Sequence, residues 1–235
     1  METLKQEFSD LREETSIIIE FGINLDKGIN EGNNICLSLT NRKEIIMPSL
    51  KASIVLMLYN AVESTCSKCL QKIHETICSE SLDFNKLSKH IRKILLTYYD
   101  KSINTPFLHN NKKNKIDYEI DKIDYILNYK NFGLSYEDMK KNYELFSGNL
   151  DDAEIKSVFK KYGIKIEENE KVLGRIKNER NDLAHGRKTF EEVGRDYTWQ
   201  ELKKKHASVF DYLEIVLTYV CEYISNAKYK ESDIF

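Results

Sequence analysis

Two prolines and nine glycines in 235 residues leave long stretches of this chain with no helix breaker. Proline costs about 3 kcal/mol inside a helix and glycine about 1. Their scarcity therefore favours an all-α fold and argues against a strand-and-turn architecture. A charge imbalance is lacking too. Thirty-six basic residues face 38 acidic ones, so no global field marks a dedicated nucleic-acid binder and only a local basic groove is left. The five cysteines, Cys36, Cys66, Cys69, Cys78 and Cys221, are odd in number. Met1 to Lys5 lacks a signal or transit pattern, so reduced thiols in the cytoplasm are expected. Cys66-x-x-Cys69 has the spacing of a metal half-site. It lies inside an unbroken helical pattern, however, with no second Cys or His pair at zinc spacing. Buried helical cysteines are the expectation, with no metal and no cofactor. No apolar run approaches the ~20 residues that span a bilayer, so no membrane partner is expected.

What is present is helical periodicity. Apolar residues make up 41% of the chain and charged residues 31%, which suits a buried core under a solvated, helix-rich surface. Leu4, Phe8, Leu11, Ile18, Phe21 and Leu25 predict an amphipathic helix over 2–25. Pro48 stands where a first helical residue should. The run from Ser49 to about Cys78 is the longest unbroken pattern, with Ile54 to Tyr59 apolar nearly all round, and reads as the central helix. Asn60 and Glu63 interrupt it; Glu63 is either a solvated edge residue or a support for a site. Asp83 is placed to cap a helix over 84–99. Residues 102–146 are rich in Asn, Lys and Tyr without steady periodicity and read as a partly irregular insert. Ser135 with Asp138 starts a short helix to about Phe146. Gly163 ends a helix over 152–162. A helix of about 168–185 follows, with Val172, Leu173, Ile176, Leu183 and Ala184 inward. Thr198 and Glu201 then form a capping box for the last helix, 199–227. No repeat or linker appears, so a single domain over 1–235 is expected.

One segment carries chemistry: Arg180-Asn181-Asp182-Leu183-Ala184-His185-Gly186. Asn181 and His185 are four apart and share a helix face, so the asparagine is expected to hydrogen-bond the imidazole and fix its tautomer. Arg180 lies about 140° from His185 around the helix. Either the helix end relaxes at Gly186, or a two-fold copy completes the site. Arginine suits a phosphate because its fork donates two hydrogen bonds and stays charged. Histidine exchanges protons near neutral pH. Together they suit metal-free cleavage of RNA. On spacing alone, a surface Arg–Glu pair with a C-capping histidine is the favoured reading. Metal-dependent phosphohydrolysis does not fit, since the five histidines form no ligand cluster.

The segment resembles the Arg-x4-6-His motif of the HEPN superfamily, with the polar residue that often follows the arginine. Leu58-Tyr59-Asn60-Ala61-Val62-Glu63-Ser64, Ser147-Gly148-Asn149-Leu150-Asp151, and Phe190, Glu191 and Gly194-Arg195-Asp196-Tyr197 are similar to the MAE-type prokaryotic branch. The resemblance covers most of 45–225, with little contribution from the first helix or the insert. It implies a helical bundle, to which the periodicity over 2–25 adds an N-terminal helix, and a homodimer with both motifs at the interface. It also implies a metal-independent endoribonuclease leaving 2′,3′-cyclic phosphate and 5′-hydroxyl ends. The usual setting is toxin–antitoxin or anti-phage defence, with an antitoxin or defence-system protein as partner. Arg180 and His185 are then catalytic and Asn181 assists, while Glu63 and Tyr59 are candidates to support them. Some members of the superfamily bind nucleotides or proteins without cleaving, so a non-catalytic interaction module is the alternative.

Overall fold

The structure, a computed structural model, describes residues 1–31, 42–103, 115–132, 136–143, 149–167 and 171–231. The chain is all-α. Its helices are α1 (Glu2–Asn30), α2 (Lys43–Glu80), α3 (Lys89–Tyr98), α4 (Lys115–Phe132), α5 (Tyr136–Tyr143), α6 (Asp152–Lys161), α7 (Gly174–Ala184), α8 (Phe190–Arg195) and α9 (Trp199–Ser225). A 3-10 turn at Phe84–Lys86 precedes α3 and a π turn at Tyr99–Ile103 follows it. Among the described residues the one β contact is an isolated bridge, Leu87 with Lys230. Residue contacts divide the chain into two compact units, one of 1–66, 149–152 and 168–215, the other of 67–148, 153–167 and 216–235. Two of the boundaries, at 66/67 and 215/216, fall within α2 and α9 rather than at a linker.

The first unit is built on α1, the first half of α2 and most of α9. The buried positions of α1 are Leu4, Phe8, Thr15, Ile19, Gly22 and Ile29. That stripe is rotated from the one read in the sequence, and Phe21 is 56% exposed. Trp199 explains the rotation. Its ring lies so close to Gly22 that an added Cβ would sit 2.2 Å from it, and its Nε1 donates to Asp26 at 2.8 Å. Phe8 packs on Phe210 of α9 with ring centroids 5.6 Å apart. Thr198 and Glu201 cap α9 reciprocally, each side-chain oxygen accepting from the other's backbone N–H.

Pro48 lies inside α2, not at its start. The ring removes one N–H from the ladder, a cost α2 tolerates in its second turn. The adjoining backbone is closely used: an added Cβ on buried Gly194 of α8 would stand 1.7 Å from the Pro48 carbonyl oxygen. Only a residue with no side chain permits that approach. Gly194→Ala is therefore expected to cost about 2 kcal/mol, as overpacking does. Urea unfolding would show this as a lower midpoint at unchanged slope.

His206 of α9 adds a pH dependence. It is half-buried, and its Nε2–H donates to the Arg12 carbonyl at 2.9 Å. Burial holds its pKa below the usual 6.5, opposed by the hydrogen bond to the Arg12 carbonyl and by the Asp211 charge, while the Arg12 charge adds to the shift. A pKa lower in the folded chain than in the unfolded one means that protonation favours unfolding. Stability is thus complete above pH 6.5 and falls as pH drops below it. His206→Gln is expected to lessen the loss of unfolding free energy between pH 7.5 and 5.5.

In the second unit, Ser88 rather than Asp83 caps the helix of this region, its hydroxyl accepting from the Ile91 N–H. Buried His74 bonds the Tyr162 hydroxyl at 2.7 Å. Gly163 has φ +87, and two closing bonds, Gly163 N–H to Lys160 and Ile164 N–H to Phe159, end α6 as the sequence predicts. The region read as a partly irregular insert holds a regular helix that the sequence did not predict, α4, and another, α5, within the short helix that it did. The Ser135–Asp138 cap expected at the start of α5 involves Ser135, which lies outside the described residues. Cys69 is buried and its thiol is pushed up to about 12 by that burial.

α2 is long and apolar enough, by length and composition, to cross a membrane, which the sequence reading did not anticipate. Ala52, Ile54, Val55, Leu58, Leu70 and Ile73 on it are instead fully buried in protein, as expected of a core helix.

Candidate functional site

The Arg180–His185 segment occupies the end of α7, a helix shorter than the sequence suggests. Residues 168–170 are outside the described set, and α7 begins only at Gly174. A carboxylate fixes the entry. Both oxygens of buried Asp152 accept backbone N–H groups, from Val172 and Leu173, each at 3.0 Å. Leu173 is the N-cap residue of α7, whose N–H a helix start leaves open, and an anion there is also favoured by the helix dipole.

The exit is equally defined. Gly186 has φ +64, its N–H donates to Leu183 O at 3.2 Å, and Arg187 N–H reaches Asp182 O at 2.8 Å. This pair of closing bonds around a left-handed glycine is a Schellman cap, reinforced by Arg187 Nε to the Asp182 carboxylate at 2.9 Å. His185 is the capping residue and is exposed, as is Ala184, while Leu183 is half-buried. The inward positions of α7 are Leu173 before its first residue, Ile176 and Glu179. The sequence reading placed Leu183 and Ala184 inward; both lie in the last turn of α7, where Leu183 is only half-buried and Ala184 is exposed.

Arg180 is held on three sides. Its guanidinium carbon stands 4.8 Å from the centroid of the Tyr59 ring, Nη1 donates to Asn181 Oδ1 at 3.1 Å, and Nη2 lies 3.9 Å from Glu63 Oε1. Glu63 also accepts from the Tyr59 hydroxyl at 3.0 Å. Burial, and next the neighbouring Glu63 charge, push the Tyr59 hydroxyl up to about 12, against the Leu150 N–H and Arg180, which pull it down. Tyr59 is thus a neutral donor at physiological pH. Glu63 is neither wholly solvated nor a tight partner. At 3.9 Å it balances the arginine's charge without making a hydrogen bond to it.

Asn181 departs from expectation. Among the described residues its side chain bonds Arg180 and, through Nδ2, Asn149 Oδ1 at 2.6 Å. His185 is linked to it only through the backbone, His185 N–H to Asn181 O at 3.0 Å. Sharing a helix face does not bring the two side chains together, because Arg180 and Asn149 claim both ends of the amide.

The four-residue stretch Asn149–Asp152 is the part of the site the residue-level reading missed. Asn149 takes Asn181, Leu150 N–H donates to the Tyr59 hydroxyl at 3.0 Å, Asp151 pairs with Lys177, and Asp152 clamps the start of α7. Four consecutive residues thus tie Tyr59 and the motif helix together. From the residues alone, Asp152 reads only as the first position of the 152–162 helix. A second missed group is Glu179, buried beside Arg180 in sequence. It accepts Arg175 Nε at 2.8 Å and the Tyr197 hydroxyl, while the Arg175 guanidinium stacks 4.3 Å from the Tyr197 ring. Burial and the adjacent Glu179 charge push the Tyr197 hydroxyl far up.

Chemically, the arrangement offers a stacked arginine whose side chain is 28% exposed and a solvent-facing histidine one helical turn along the chain. Tyr59, Glu63 and Asn181 all act on Arg180, not on His185. Among the described residues no group of three or more His, Cys, Asp and Glu is arranged to hold a metal ion.

The chain matches no curated protein and no solved structure. A family model does match: the MAE_28990-like HEPN family, over residues 1–229. That span includes α1 and the whole 102–146 region, both of which the sequence resemblance had left largely outside. The chain belongs to the MAE_28990-like HEPN family.

Proposed function

We propose that this protein is a metal-independent endoribonuclease in which Arg180 and His185 are catalytic. The observation that carries the reading is the state of Arg180. It is oriented by a ring, an amide and a carboxylate, yet among the described residues its ion pair is the 3.9 Å approach to Glu63, so an incoming phosphate can engage its donors without first breaking a strong bond. In the reaction the ribose 2′-oxygen bonds to the adjacent phosphorus and gives up its proton to a base. The bond from phosphorus to the 5′-oxygen breaks, and that oxygen takes a proton from an acid. A histidine near neutral pH serves as base or acid, and the arginine carries the charge building on the non-bridging oxygens. The products are a 2′,3′-cyclic phosphate and a 5′-hydroxyl.

One histidine cannot give and take both protons at once. A homodimer with the two α7 ends facing one groove supplies a second, and the exposed position of His185 at the Schellman turn suits such sharing. We place the activity in toxin or anti-phage defence, restrained or triggered by a partner protein, with no cofactor and in the cytoplasm. The second reading, a non-catalytic interaction module, is favoured by the absence of any side-chain hydrogen bond to His185 among the described residues.

Expression of the wild type and of His185→Ala, followed by sequencing of RNA 5′-hydroxyl ends, separates the two. New ends in the wild type alone support the nuclease. Equal ends in both, with the biological effect retained by Arg180→Ala, support the module.

A further inference from the structure

The outer face of α4 is apolar where a solvated helix should be polar. Ile116, Ile120, Ile123 and Leu127 are 64%, 51%, 53% and 72% exposed. Their spacing of four, three and four is the a/d seam of a coiled coil, running about 16 Å along the helix. The opposite face is anchored within the second unit. Tyr125 is buried against Tyr99 with centroids 4.8 Å apart, and Lys122 pairs with Asp100 at 3.0 Å, which also accepts from Tyr118. With those side chains committed inward, α4 cannot roll to bury the seam. Isolated exposed aliphatics need no explanation, but a contiguous row at heptad spacing marks a docking surface.

Charge selects the occupant. The exposed residues flanking the seam are Asp117 and Glu119 on one stretch and Asp124 on the next, all acidic. A second copy of α4, parallel or antiparallel, would set these acids against each other, which weakens pairing. An acidic rim likewise disfavours RNA phosphates and anionic lipid. We propose that α4 docks an amphipathic helix of a partner protein, one with an apolar seam flanked by lysine or arginine. It stands independently of the ribonuclease reading.

The test uses the full chain and two labelled synthetic peptides of matched length, each with leucines at seam positions. One carries Lys and Arg at the flanks, the other Glu. Fluorescence anisotropy at low ionic strength is expected to show the basic peptide binding at least roughly tenfold more tightly, the difference shrinking with added salt as screening requires. The Ile123→Ser, Leu127→Ser double variant removes exposed side chains only. It is expected to keep its helical circular dichroism and melting temperature while losing the basic peptide. Equal binding of both peptides, or binding retained by the double variant, overturns the proposal. So does a fall in wild-type mass by light scattering on making the double change, which would assign the seam to a second copy. Partition of the wild type but not the variant onto phosphatidylcholine vesicles would assign it to lipid and also overturn it.

Discussion

His185→Ala is expected to lower RNA cleavage by about a hundredfold to ten-thousandfold, the range a positioned general acid or base supplies, while leaving the melting temperature within a degree or two of wild type. The second half of that expectation follows from position. His185 is exposed, and its backbone N–H, not its imidazole, closes the helix onto Asn181. Alanine keeps that bond. Arg180→Lys is a companion with a different signature. A lysine keeps the charge but loses the planar fork and its stacking on Tyr59. Cleavage should fall with lysine almost as far as with alanine, since a point charge cannot replace two directed donors on a phosphate. Rate constants on one defined RNA, with circular dichroism melts of the same samples, check both. If His185→Ala cleaves normally and is folded, the histidine has no part in proton transfer.

Glu179→Ala is expected to destabilise the fold by about 2 kcal/mol, the cost of leaving a buried donor unmade. The carboxylate is 6% exposed, accepts from Arg175 and Tyr197, and is the link between them. Its removal strands a buried phenol hydroxyl and frees a guanidinium stacked at 4.3 Å on that same ring. A buried donor left unmade costs more than a bond of the same kind contributes. Glu179→Gln keeps an acceptor for each partner but loses the charge, so roughly half the loss is expected. Urea midpoints for the two variants give the comparison. Equal effects would show that packing, not the charge, carries this contact.

The features legible in the sequence were the local ones. Gly163 and Gly186 end helices by left-handed turns whose bonds involve only the preceding residues, and the Thr198–Glu201 box closes within four positions. Periodicity also found the central helix, because α2 is apolar on nearly every face from Ile54 to Tyr59. Failures came wherever a distant residue decides. The face of α1 turned because Trp199 needs the space at Gly22, and Phe21 was left outside. Asn181 shares a face with His185, but Asn149, 32 residues away, takes its amide. Glu179 reads as one more surface charge beside Arg180 until Tyr197 is seen to approach it. Region 102–146 defeated periodicity for the opposite reason. On α4 the aliphatic row faces outward and tyrosines with a lysine face inward, inverting the pattern by which a helix is recognised. The motif was thus readable as chemistry, but what holds Arg180 was not.

The central claim is that Arg180 and His185 drive attack by the RNA's own 2′-hydroxyl. The direct measurement is cleavage, in EDTA, of one short RNA and of the same RNA carrying a single 2′-deoxy substitution at the mapped cleavage position. The account predicts that the all-ribose strand is cut to a 5′-hydroxyl product and that the substituted strand is not cut at that position. Cutting of both strands alike, or cutting only when a divalent metal is restored, would contradict it.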